Sequence, residues 1–85
     1  MTVALMWEAR AVAGRGPELL AWARRQRLAA PPLRRETFHA PGDRVLVISW
    51  WDADMDAELP ELPEPEGRLV SRPVHRWRFE SAGTD

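Results

Sequence analysis

The chain has 85 residues, a mass of 9.7 kDa and a formal net charge of −1. That size makes a single domain. The absence of cysteine excludes disulfides, thiol nucleophiles and cysteine–zinc sites, and the charge balance excludes the net basic surface expected of a nucleic-acid binder. No run of about 18 apolar residues exists, so no membrane span is expected. The first residues lack a basic region before an apolar stretch, so no signal peptide is expected and the cytoplasm is the expected location.

Thr2 to Arg10 alternates with period two. Val3, Leu5, Trp7 and Ala9 fall on one side, and Ala4, Met6, Glu8 and Arg10 on the other, which reads as a strand. Gly14-Arg15-Gly16-Pro17 breaks it. Pro17 suits a first helical turn and Glu18 the positive end of a helix dipole. Leu19, Leu20, Trp22, Ala23 and Leu28 recur at helical spacing, and Arg24, Arg25 and Arg27 suit the negative end. The prediction is a helix over 17–29, stopped by Pro31-Pro32. Residues 33–40 read as a second strand, Pro41-Gly42-Asp43 as a turn, and 44–51 as a third strand. The Val45-Leu46-Val47-Ile48 run is apolar on both sides, so that strand is expected to be covered on both faces. Residues 52–67 are acidic and hold Pro60, Pro63 and Pro65, which preclude a regular helix. A short helical turn is expected over 66–71. Val74 to Glu80 alternates again as a fourth strand, and 81–85 forms a frayed tail.

The order β-α-β-β-(short helix or loop)-β, with crossovers over 11–32 and 52–73, predicts an α+β, ferredoxin-like domain over 1–85 with sheet order 4-1-3-2. One helix covers only part of one sheet face. A second copy of the sheet is the simplest partner for the other, so a homodimer is expected. Charge is segregated along the chain. Residues 1–40 hold seven arginines against three acids, a net +4; 41–67 hold one arginine against eight acids, a net −7; 68–85 hold four arginines against two acids, a net +2. The acidic 52–67 stretch is a candidate partner for the Arg24, Arg25 and Arg27 cluster.

The opening strand, the Val12-Ala13-Gly14-Arg15-Gly16 turn into an amphipathic helix, the Val45–Trp51 strand and the closing His75-Arg76-Trp77-Arg78-Phe79 strand resemble the dimeric α/β-barrel superfamily. Within it the chain is most similar to the antibiotic-biosynthesis monooxygenase-like domains. The resemblance covers nearly the whole chain and implies two four-stranded sheets packed face to face. It also implies a function drawn from cofactor-free oxygenases of aromatic polyketides, haem-degrading enzymes and isomerases. Two departures stand out. The family's second helix is replaced by the acidic, proline-rich 52–67 segment. The chain has no Asn and no Tyr, so family roles for those residues have no counterpart.

Five tryptophans are the strongest site signal. With the first and third strands read as parallel neighbours, Trp7 and Trp50 or Trp51 lie toward one sheet end. His75 begins the fourth strand there, with Trp77 further along, and Trp22 reaches down from the helix. The resulting expectation is an aromatic-lined pocket with walls Trp7, Trp22, Trp50 and Trp77 and with His75 as the proton-handling catalytic group. The bland reading is that these rings fill the core and the dimer contact. The resemblance points to a cofactor-independent monooxygenase or isomerase, so no cofactor is expected; haem bound through His75 is the weaker option. The alternative is a non-catalytic interaction module whose Glu58, Glu61, Glu64 and Glu66 recognise a basic protein. Asp52-Ala53-Asp54-Met55-Asp56 opens like a calcium loop, but Ala57 and Pro63 occupy the positions that need Gly and Glu. Pro60-Glu61-Leu62-Pro63 matches P-x-x-P and reads as an extended connector.

Overall fold

A computed structural model describes residues Met1–Asp85. The elements are β1 (Thr2–Arg10), α1 (Gly16–Arg25), β2 (Arg34–Ala40), β3 (Arg44–Asp52) and β4 (His75–Glu80). The strands form one open sheet in the order β2-β3-β1-β4, with every neighbouring pair antiparallel. The α+β class and the ferredoxin-like strand order follow the sequence prediction, with α1 the only α-helix. No helix is long and apolar enough to cross a membrane.

The register sorts the side chains onto two faces. Val3, Leu5, Trp7 and Ala9 of β1 and Val45, Val47, Ser49 and Trp51 of β3 are buried on one face. Leu19 and Ala23 of α1 pack onto it, joined by Leu62 and Leu69 from the segment before β4. Leu59 and Ala53 close the second cluster, around Val3, Leu5 and Trp51. The proline-rich connector thus stands where a second helix is absent. Its prolines prevent helical hydrogen bonding, and its free carbonyls accept from β4. Arg76 Nη1 donates to Leu62 O at 2.7 Å, and Arg78 Nη1 to Met55 O and Ala57 O at 2.8 and 2.6 Å.

Four expectations are corrected. β1 and β3 are antiparallel, with Thr2 opposite Asp52 and Arg10 opposite Arg44. The crossover sets β2 parallel to β1, and the tight hairpin then reverses β3, so the strand between them must oppose both. The helix ends at Arg25 rather than at residue 29, because Gln26 turns extended at φ −73° and ψ 128°. The Arg35 guanidinium takes up the freed carbonyls, with Nη1 on Gln26 O at 2.7 Å and Nη2 on Ala23 O at 2.8 Å. Residues 66–71 form a turn and a single bridge, Ala11 to Val70, with Ser71 N donating to Arg10 O. β3 is covered on one face only within the chain, since Leu46 and Ile48 are half-buried on the other.

Capping of α1 is tertiary. Arg15 at the N-cap offers no side-chain bond. Instead Asp43, in the β2–β3 turn, accepts from Gly14 N at 3.0 Å and Gly16 N at 3.1 Å. A Cβ at Gly16 would stand 2.7 Å from Asp43 Oδ1, so glycine permits this approach. Asp43 itself has φ 60°. Asp43→Ala removes a cap worth ~1–2 kcal/mol and places a Cβ-only side chain in the left-handed region at ~1 kcal/mol or more. Thermal melting should fall by roughly 10 °C. Asp43→Asn, which tolerates that conformation, should lose clearly less; equal losses would mean that the side chain does not cap.

Candidate functional site on the open sheet face

No helix or strand packs on the second sheet face; from the loops only Arg72 reaches onto it, at Glu8. Three rows of side chains cross it: His75, Glu8, Leu46 and Phe38; Trp77, Met6, Ile48 and Glu36; Phe79, Ala4, Trp50 and Arg34. Rows and strands at pleated-sheet spacing give a patch about 14 Å on each side between Cα positions. Phe38, Trp77 and Phe79 are 37, 45 and 50% exposed, high for large apolar side chains. Eight of the twelve side chains are apolar, and exposed large apolar groups gathered on one face and rimmed by polar ones make it a candidate interface or ligand groove.

Within the patch lies a cleft of about 170 Å³. Met6, Phe38, Leu46 and Trp77 supply its apolar walls, and Glu8 and Arg44 its polar end. An apolar cavity of about 150 Å³ suffices for a single benzene ring, whereas drug-sized ligands occupy about 300 Å³ or more.

The polar end is built around Glu8, which is only 5% exposed. Its Oε1 and Oε2 accept from Arg72 Nη2 at 2.6 and 2.9 Å, and Oε2 accepts from Arg44 Nε at 2.9 Å. His75 Nδ1 stands 3.7 Å from Oε1, a charge contact longer than a hydrogen bond. Burial pushes the Glu8 carboxyl upward, but the Arg72 and Arg44 hydrogen bonds and charges outweigh it, so it lies below its ordinary value. The carboxylate is therefore ionised at neutral pH. It faces the imidazole across the β1–β4 pair, since Glu8 and His75 are direct register partners. The imidazole also meets Trp77 edge to face at 5.3 Å between ring centroids. An ionised carboxylate thus stands beside a half-exposed imidazole, at a distance that can hold the ring in place.

The predicted aromatic box divides between the two faces. Trp7 and Trp22 stack at 5.9 Å and 24° beneath the helix, in or against the main core. Trp7 Nε1 is a buried polar atom without a hydrogen-bond partner. Trp50, Trp77 and His75 share the open face. Trp50 lies under the Arg34 guanidinium at 5.5 Å, a cation–π contact, one row away from Trp77. Trp51 donates Nε1–H to Ser49 Oγ at 2.9 Å on the covered face. His39 and His75 sit on opposite edge strands.

The acidic connector does not meet the Arg24, Arg25 and Arg27 cluster. Glu61 and Glu64 pair with Arg76, and Glu66 pairs with Arg68. Sequence reasoning missed Glu8, Arg44 and Arg72. An acid opposite a histidine on neighbouring strands is the only signal, and it is readable once the β1–β4 register is known. Comparison with family models, curated proteins and solved structures finds no match to this chain.

Proposed function

We propose that two copies of the chain pack open face to open face, and that a small aromatic or hydrophobic molecule is held in the cleft between them. The observation that carries this reading is the uncovered apolar face with its cleft beside the Glu8–His75 pair. A second copy is the favoured occupant on two grounds. The patch is self-complementary in kind, with an aromatic and aliphatic centre flanked by both charge signs at Arg34, Glu36, Glu8 and Arg44. An isologous contact also encloses two half-clefts at once, bringing the space to the size that a multi-ring ligand needs. The resulting dimeric α/β barrel is the assembly implied by the resemblance to antibiotic-biosynthesis monooxygenase-like domains.

In this reading Trp77 is a cleft wall and His75 moves the proton, held in position by Glu8. Trp50 belongs to the dimer contact, and Trp7 and Trp22 hold the sheet from behind. Isomerisation asks only for a group that takes a proton from one carbon and returns it at another. A cofactor-independent oxygenation also needs dioxygen and a substrate that can reduce it, so isomerisation draws more fully on the groups present. The interaction-module alternative is less supported, because three of its four glutamates are already paired within the chain.

The test is fluorescence titration of the full chain with 1-naphthol, indole and anthraquinone-2-sulfonate. Saturable quenching by at least one is expected, weakened about tenfold in Trp77→Ala, in line with loss of an aromatic wall. No saturable quenching by any of them, or undiminished affinity in Trp77→Ala, overturns the cleft as a ligand site.

A further inference from the structure

Where the chain leaves α1 for β2 it leaves a cleft of about 500 Å³ on the helix side of the sheet, away from the open face. Arg24, Arg27 and Arg35 line it, and no acidic side chain does. Arg25 stands exposed on the same helix end. The ion pairs of the chain involve Arg15, Arg34, Arg44, Arg68, Arg72 and Arg76, and none of these four.

The arrangement has a fixed part and a free part. Arg35 is fixed, because its guanidinium caps the helix through Ala23 O and Gln26 O. Burial, and then the neighbouring Arg27 charge, lower its pKa, and no carboxylate of the chain pairs with it, so the base of the cleft carries a positive charge without a counter-charge. Arg24 and Arg27 are free of carboxylate partners and border the same depression. Leu28, Ala29, Ala30, Pro31 and Pro32 form the remaining wall. The Pro-Pro pair stiffens it, which reduces the ordering cost of binding. Guanidinium forks bind phosphate and carboxylate oxygens in bidentate fashion.

We propose that this cleft binds a small polyanion through phosphate or carboxylate groups, with Arg24 and Arg27 contacting the anion and Arg35 holding positive charge at its base. The ligand is small because the cationic groups surround one depression with an apolar wall. They do not form the extended basic stripe that a nucleic-acid backbone requires, and the chain as a whole carries −1. The site is independent of dimerisation and of the open-face cleft.

The experiment is a titration of the full chain with pyrophosphate and, separately, with citrate. It is followed by amide chemical shifts at ionic strength held constant with sodium chloride. Saturable shifts centred on residues 26–30 and Arg35 are expected with at least one anion. The preferred anion identifies phosphate or carboxylate as the recognised group. Arg24→Gln/Arg27→Gln should weaken that affinity at least about tenfold, as loss of charge-assisted hydrogen bonds predicts. Arg25→Gln, outside the cleft wall, should change it little. Arg27→Gln alone, lying beyond the helix, serves if the double variant loses its helical circular dichroism. The proposal is overturned if neither anion gives saturable shifts, if sodium chloride alone reproduces them, or if Arg25→Gln weakens binding as much as the cleft variants. It also fails if only single-stranded DNA binds, with affinity rising with length.

Discussion

Ile48→Glu is expected to convert a dimer of about twice 9.7 kDa into a folded monomer. Ile48 lies in the middle row of the open face, between Met6 on β1 and Glu36 on β2. In a two-fold contact one substitution places two new carboxylates in the seam, each close to an existing Glu36. Burying an unpaired charge costs several kcal/mol, which weakens association by about a hundredfold or more. The same side chain is only half-buried within one chain, so the fold itself should survive, and circular dichroism checks that. Light scattering after size exclusion reads the outcome. A wild-type mass of one chain removes the face-to-face assembly, as does a variant that remains dimeric. Ile48 does not line the 170 Å³ cleft. Loss of aromatic quenching in the monomeric variant would therefore show that the partner copy completes the binding site.

The sequence carried the fold where chemistry is local. Period-two alternation marked β1 and β4, Pro41-Gly42-Asp43 marked the hairpin, and three prolines barred a second helix. The C-terminus of α1 was not legible. Leu28 continues the helical period, so the pattern ran on. The chain turns at Gln26, where Arg35, nine residues further on in β2, caps the carbonyls of Ala23 and Gln26. Asp43 as cap of α1 was hidden for the same reason, since the partners lie 27 and 29 positions apart.

The site was half legible, and the error has one source. Strand period two puts Trp50 and Trp51 on opposite faces, while Val47, Ser49 and Trp51 form the buried set. With β1 and β3 read as parallel, Trp7 and Trp50 fell into one box. In the antiparallel register Trp7 faces Val47 and Trp50 faces Ala4, on different sides of the sheet. His75 and Trp77 stayed together because they sit two apart on one strand. What turns the histidine from a lone imidazole into a member of a polar cluster is Glu8, whose role depends on register and on Arg72 reaching back from the loop before β4.

Glu8→Gln should be the most damaging conservative change in the chain at neutral pH. It leaves the shape but removes the charge against which Arg72 and Arg44 are set. Removing one partner of a buried pair costs ~3–5 kcal/mol. Arg44 is half exposed and Arg72 about 29% exposed, so solvent screening brings the expected loss below that range, to about 2–3 kcal/mol. The pH dependence gives the sharper test. The folded Glu8 carboxyl lies below its ordinary value of 4.5. Its contribution is therefore fully present above 4.5 and is lost as pH falls through the folded value, where native and unfolded states are both protonated. Urea midpoints should show the wild-type advantage over Glu8→Gln constant near neutrality, shrinking below 4.5 and vanishing in stronger acid. Other carboxylates titrate in both proteins and cancel in the difference. An advantage that persists unchanged into acid would assign Glu8 a packing role alone. It would also remove the electrostatic support for His75 on which the proton-transfer reading rests.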